Sequence, residues 1–138
     1  MTAPAPYRVL IIGTPDWDDA SAFNRALADA IRPIPADVEV IIVHGGCSSG
    51  ADRMADDWAR TYGAMPERHP AQDFGPWPGA GLRRDRYMVG LGADLVLAFI
   101  GPCSSPRCRR PEPHPSHGAS GCADMAEQAG IPTRRRYL

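Results

Sequence analysis

Three apolar runs constrain the fold of this chain more than any other feature of its sequence. They span residues 7–13, 38–43 and 95–100. They consist mainly of Val, Ile and Leu, and in none of them do polar residues alternate so as to form a polar face. Such runs are typical of central strands in a parallel sheet whose two faces are both covered. The pattern therefore favours an α/β fold.

Segments with a helical spacing of apolar residues separate these runs. The spacing predicts helices over residues 18–31, 50–62, 83–91 and 121–129, and two further short strands are predicted at 65–70 and 131–135. Residues 71–80 and 101–117 are rich in proline with glycine or arginine, and they are predicted loops. No repeat or internal boundary interrupts the alternation. We expect one Rossmann-like domain over residues 1–138, with a mostly parallel sheet and helices on both faces.

Composition excludes several classes of protein. The formal net charge of -1 argues against an electrostatic nucleic-acid binder. All 15 Lys or Arg positions are arginine, so any anion site would use guanidinium groups, which suit phosphate. No signal-peptide pattern and no apolar run of about 20 residues is present. We expect a cytoplasmic protein without membrane contact, whose four cysteines are free thiols.

Two glycine-rich turns open predicted helices, one after residue 44 and one near residue 118. Ligands of open parallel sheets lie beyond the carboxyl ends of the strands. A helix N-terminus offers free N–H groups and a partial positive charge, and glycine lets a phosphate approach them. The turns therefore favour a nucleotide-type site. Their spacing does not match G-x-x-x-x-G-K-[ST], and lysine is absent, which excludes a P-loop NTPase.

Five segments resemble the SLOG superfamily in kind and order: "RVLIIGTPDWDD", "VIIVHGGCSSGADRMADDWA", "RRDRYM", "GADLVLAFI" and "GASGCADMAEQAGIPTR". The chain is most similar to the YspA-like (cpYpsA-related) branch, small Rossmann-like proteins of actinobacteria and their phages. Relatives include cytokinin-activating phosphoribohydrolases and a DNA-processing protein. The resemblance implies binding or sensing of a nucleotide or nucleotide-derived ligand, and a homodimer. We predict no further cofactor.

The resemblance also implies the residues that line the ligand. They are Gly13 and Thr14 beneath it, Gly45, Gly46, Gly50, Ala51 and Asp52 on its phosphate and ribose side, Gly118, Ser120 and Gly121 as a second phosphate cradle, and Arg84 at a phosphate. Met125 stands where the phosphoribohydrolases have a catalytic Glu, which leaves enzymatic turnover open. The alternative function is an N-glycosidic hydrolase of a nucleoside monophosphate that uses Asp124 or Asp52. Single-stranded DNA binding is a weaker alternative.

Several candidate residues also have a structural interpretation. Asp52 could complement the helix dipole or hold a ribose hydroxyl. Asp16 could cap the first helix or face the ligand, and we favour the cap. Trp17 and Trp77 could stack on a base or simply pack. Arg84 is the arginine for which we predict a phosphate contact.

Four potential metal ligands lie in the predicted loop 101–117. Cys103, Cys108, His114 and His117 form a C-x4-C-x5-H-x2-H pattern. Such ligands can build a tetrahedral zinc site, but the spacing matches no well-known finger. We therefore expect a mobile loop without metal, and no metal site in the chain.

The glycines of the "HGGCSSGAD" stretch raise a last question. Our hypothesis is that Gly46 and Gly50 are glycine because a ligand approaches the backbone there, and not only because the conformation of the turn requires glycine. If Gly50 has a negative φ, alanine at this position should leave the fold intact and weaken the ligand.

Overall fold

The computed structural model describes residues 3–138 and is built around a five-stranded parallel sheet. In chain order the elements are β1 (Tyr7–Gly13), α1 (Ala20–Ile31), β2 (Val40–His44), α2 (Gly50–Tyr62), β3 (Met65–Arg68), a 3-10 turn (Ala71–Phe74), α3 (Ala80–Leu91), β4 (Leu95–Ile100), α4 (His117–Gln128) and β5 (Thr133–Tyr137). The strand order is β3-β2-β1-β4-β5, and every neighbouring pair is parallel. The predicted α/β Rossmann-like fold is confirmed.

The central strands bury both of their faces, as their apolar runs predict. Val9 and Ile11 of β1 contact the core that α1 and α2 cover, whereas Leu10 and Ile12 contact the core beneath α3 and α4. All six residues of β4 are buried. Because side chains alternate across a strand, a run without polar positions can serve two cores at once.

The connections reverse direction at β1. The chain passes from β1 outward to β2 and β3, then crosses back to β4 and β5 on the other side of β1. Loops at the carboxyl ends of β1 and β4 therefore part from each other, and a crevice forms between them. This switch in strand order determines where a ligand cavity can form.

Three helix starts differ from the predicted ones. α1 begins at Ala20 because the Asp19 carboxylate accepts the Ala22 N–H at 2.9 Å, so Asp19 and not Asp16 is the cap. α3 begins three residues before the predicted position and α4 four residues before it. Ala80 at the start of α3 and Ala119 in the first turn of α4 are both buried, so the first turn of each helix packs against the rest of the protein. The glycine-rich sequence around them does not reveal this packing.

The two predicted loops also have more structure than expected. Residues 71–74 of the first form the 3-10 turn, and the second is shortened to residues 101–116 because α4 starts at His117. Within residues 3–138, no helix is both long and apolar enough to cross a membrane.

Candidate functional site

A cavity of about 810 Å³ opens at the carboxyl ends of β1 and β2, between the turn that precedes α2 and the helices α3 and α4. Eight of the predicted site residues line it: Gly13, Thr14, Gly45, Gly46, Asp52, Arg84, Gly118 and Gly121. Its size lies in the range of small-molecule sites. The structure does not bring Gly50, Ala51 or Ser120 to the cavity wall.

Arg84 is held in the wall of the cavity by backbone oxygens. Nη1 donates to Gly45 O at 2.8 Å and to His69 O at 3.4 Å, and Nε donates to the carboxylate of Asp85 at 2.8 Å. These bonds fix the plane of the guanidinium and leave Nη2 for a further acceptor. Arg84 therefore connects the turn after β2 with α3.

Two carboxyl groups, Asp52 and Asp85, lie in the same wall. Burial raises the pKa of Asp52, although the Cys47 N–H donates to its Oδ2 at 3.2 Å and opposes this effect. Burial also raises the pKa of Asp85, against the opposing influence of Arg84. Groups with raised pKa values in a cleft are typical of functional sites, although structural ion pairs also produce them. Asp85 was not among the predicted site residues, although it is the sequence neighbour of Arg84.

His44 is a further residue that sequence reasoning missed. It ends β2 and is 1% exposed. Its Nδ1 accepts the Gly46 N–H at 3.0 Å, so the proton resides on Nε2, which donates to Asp56 at 2.9 Å. His44 thus anchors the first turn of the site to α2. A histidine between a buried strand and two glycines is the signal that could have revealed this role.

The two glycines of the "HGGCSSGAD" hypothesis are explained by the turn itself. Gly46 has φ 71° and Gly50 has φ 68°, in the left-handed region that favours glycine. A Cβ on Gly50 would also lie 2.6 Å from Pro15 O. Gly50 does not meet the condition of a negative φ, and Gly50→Ala therefore cannot reveal a ligand.

The start of α4 differs from this first turn. The first helical bond runs from Ser120 N to Ser116 O at 3.0 Å, so the N–H groups of the three residues before Ser120 are not used by the helix. A Cβ on Gly118 or Gly121 would meet nothing within 4 Å in the described part of the chain, and both glycines line the cavity. Among the described residues, no protein contact requires glycine at these two positions.

The acids considered for catalysis are separated by the fold. Asp124 does not line the cavity; its side chain is 61% exposed and accepts a hydrogen bond from Arg135 Nη2 at 2.6 Å. Met125 does line the cavity. Asp124 is therefore not placed at the cavity to replace the missing Glu, whereas Asp52 lines the cavity.

The tryptophans have different environments. Trp17 is 2% exposed and packs edge-on against Phe99, with ring centroids 5.3 Å apart, so it belongs to the core. Trp77 is 72% exposed and lies at the rim of the cavity. Only Trp77 of the two predicted rings is placed where a base could stack on it.

The four potential metal ligands lie close together in space. Three belong to the loop 101–116, and the fourth, His117, is the first residue of α4. The ligand atoms of Cys103, Cys108, His114 and His117 all lie within 4.8 Å of one another. This cluster is separate from the carboxyl groups of Asp52 and Asp85 near Arg84. One of its members, His117, also lines the cavity.

Comparison with known proteins gives two matches. The model of a family described as "YspA, cpYpsA-related SLOG family" matches residues 7–73. The "Gene 61 protein" of Mycobacterium phage D29 is 39% identical over 132 residues, which represent 91% of this chain and 92% of the phage protein. No solved structure is significantly similar to the chain.

Proposed function

Because the chain belongs to the YspA, cpYpsA-related SLOG family, we propose that its cavity binds a nucleotide or nucleotide-derived ligand. The observation that carries the proposal is the start of α4, whose residues line the cavity and include N–H groups that the helix does not use and two glycines without contacts to the described residues. A helix start of this kind suits a phosphate group. Family membership favours a nucleotide-related ligand over other anions.

The remaining walls support the same class of ligand. Arg84 offers a guanidinium edge to a second phosphate or a ribose oxygen, since its other nitrogens are already bonded. Asp52 offers a carboxylate at the turn before α2, and carboxylates accept hydrogen bonds from ribose hydroxyls. Trp77 at the rim offers a ring face for a base. Each group matches one part of a nucleotide.

A thermal-shift screen against nucleoside mono- and diphosphates, NAD and ADP-ribose tests this proposal. A ligand at about 100 times its dissociation constant should add roughly 2.7 kcal/mol to the free energy of unfolding. Inorganic phosphate and the free nucleosides are the matched controls, because each offers only part of the expected contacts. If no compound shifts the melting temperature at millimolar concentration, the proposal is contradicted.

Hydrolysis of an N-glycosidic bond is a second candidate, favoured by the buried carboxyl groups of Asp52 and Asp85. A carboxyl whose pKa is raised keeps its proton to a higher pH than usual, which suits it to act as a general acid. Release of free base from nucleoside monophosphates would support this activity, provided that Asp52→Asn abolishes it. Binding without release of base leaves ligand sensing as the function.

We also propose a homodimer. Tyr87 and Leu91 lie one turn apart on α3, and these large residues are 48% and 45% exposed. An exposed apolar surface on a helix is typical of a contact between protein chains. Sedimentation of the purified protein distinguishes a dimer from a monomer.

A further inference from the structure

We propose that Cys103, Cys108, His114 and His117 bind a structural zinc ion. Their spacing along the sequence favours a loop without metal, but the fold brings all four ligand atoms within 4.8 Å of one another. Two thiolates and two imidazoles form one of the ligand sets that tetrahedral zinc uses in structural sites. All four positions would be filled by the protein, so the ion would be structural.

The backbone of the loop explains how distant ligands meet. Pro102 and Pro115 form an antiparallel bridge, Cys103 N donates to His114 O at 2.7 Å, and Ser116 N donates to Gly101 O at 2.9 Å. A turn in which Cys108 N donates to Ser105 O at 3.2 Å brings the second cysteine back. The loop is therefore a narrow hairpin whose two arms place one ligand opposite another.

The distances between three of the four ligand atoms are close to those of a tetrahedral site. Cys108 Sγ lies 3.3 Å from His114 Nε2 and 3.4 Å from His117 Nε2, and the two Nε2 atoms are 3.0 Å apart. Zinc bonds of about 2.0–2.3 Å at tetrahedral angles place ligand atoms about 3.3–3.8 Å apart. Small movements of the side chains would bring the cluster to this geometry.

The proton positions also favour a cation. His114 Nδ1 lies 2.7 Å from Glu112 O, an acceptor, so Nδ1 carries the proton and Nε2 presents its lone pair to the cluster. Metal-bound histidines commonly donate their other N–H to a carbonyl in this way. Binding would release the two thiol protons to solvent, and two thiolates would balance the charge of Zn²⁺.

Metal analysis of protein purified under reducing conditions without chelator tests the proposal. We expect about one zinc ion per chain in the wild type and at least tenfold less in Cys103→Ser/Cys108→Ser. Cys47→Ser is the matched control, because Cys47 lies outside the cluster, and it should retain the wild-type zinc content.

A spectroscopic measurement on the wild type avoids any dependence on how a variant folds. After removal of metal, added Co²⁺ should give the visible absorption of tetrahedral cobalt with thiolate-to-cobalt charge transfer. Zinc below about a tenth of an ion per chain together with no such cobalt spectrum would overturn the proposal. Zinc that persists in the double cysteine variant, or a Cys103–Cys108 disulfide that persists under reductant in place of metal, would also overturn it.

Discussion

At the scale of single residues, Asp52 is a carboxyl group in surroundings that disfavour its charge. It is 7% exposed, and burial raises its pKa. It nevertheless accepts a hydrogen bond from Cys47 N at 3.2 Å and so helps to shape the turn before α2. Both interpretations of Asp52 from the sequence therefore remain compatible: it completes the helix start, and it lines the cavity.

The substitution Asp52→Asn separates charge from hydrogen bonding. The folded pKa of Asp52 lies above the unfolded value of about 4, so the contribution of Asp52 to the unfolding free energy falls as the pH rises above that value. Asn keeps an acceptor for Cys47 N and has no charge to bury. We expect the variant to be as stable as the wild type or more stable at pH 7, with a difference in urea titrations that widens as the pH rises above about 4.

Asp57→Asn on the same helix is the control for that substitution. The Asp57 side chain is 48% exposed and pairs with Arg53 and Arg60, so its loss should change stability by less than about 0.5 kcal/mol. If Asp52→Asn is clearly less stable than the wild type at pH 7, the charge of Asp52 stabilises the turn, and our account of its burial is contradicted.

The glycines show which residue roles can be deduced from a sequence. A glycine-rich turn indicates either that the backbone conformation requires glycine or that another group lies too close for a side chain. The sequence alone does not distinguish these two causes. Gly45 illustrates this: a Cβ there would lie 2.7 Å from Cζ of Arg84, a residue 39 positions away. The contact partner is decided by tertiary structure, so periodicity and local propensity cannot reveal it.

At the scale of elements, an ion pair connects the two strands on either side of β2. Arg8 of β1 donates from Nη1 and Nη2 to the two carboxylate oxygens of Glu67 in β3, both at 2.9 Å. The hydrogen bonds from Arg8 lower the pKa of Glu67 to about 2. Both side chains are less than a third exposed, so solvent screens the pair only in part.

This ion pair predicts a specific loss of stability in acid. Glu67 has a folded pKa below its unfolded value, so its contribution is present above about pH 4.5 and is lost as the pH falls towards 2. In Glu67→Gln, this part of the acid sensitivity should be absent. We expect the wild type to exceed the variant in unfolding free energy by on the order of 1 kcal/mol at pH 6, and by much less near pH 2.

Chemical denaturation of both proteins across this pH range measures the effect. Glu39→Gln, at an exposed position just before β2, is the matched control and should follow the wild-type pH profile within about 0.5 kcal/mol. Equal pH profiles for the wild type and Glu67→Gln would show that the bidentate pair contributes no stability.

At the scale of the whole molecule, the sheet was predictable because its central strands are apolar on both faces. Their carboxyl ends meet at one edge, which is why Gly13, Gly45 and Gly118 could be assigned to one site from far-apart segments. The packing of Gly50, at the start of α2, against the turn with Thr14 and Pro15 depends on long-range contacts, and so does the hairpin that gathers the cysteines and histidines. Those parts could not be derived from local sequence.

The central claim is that a nucleotide-type ligand occupies the space beside the start of α4. Gly121 is the position that tests it, because it lies in a helix and lines the cavity, and a Cβ added there would meet no atom of the described residues within 4 Å. Alanine in its place should stabilise the helix by about 0.5–1 kcal/mol. Gly90 of α3 is the matched control, since a Cβ there is equally free of contacts with the described residues but lies outside the cavity.

The deciding measurement is calorimetric titration of the wild type, Gly121→Ala and Gly90→Ala with the nucleotide that gives the largest thermal shift. We expect Gly121→Ala to fold and to bind the nucleotide at least tenfold more weakly, a loss of about 1.4 kcal/mol, while Gly90→Ala binds like the wild type. If Gly121→Ala binds the nucleotide as tightly as the wild type, the ligand does not lie at the start of α4, and the central claim is contradicted.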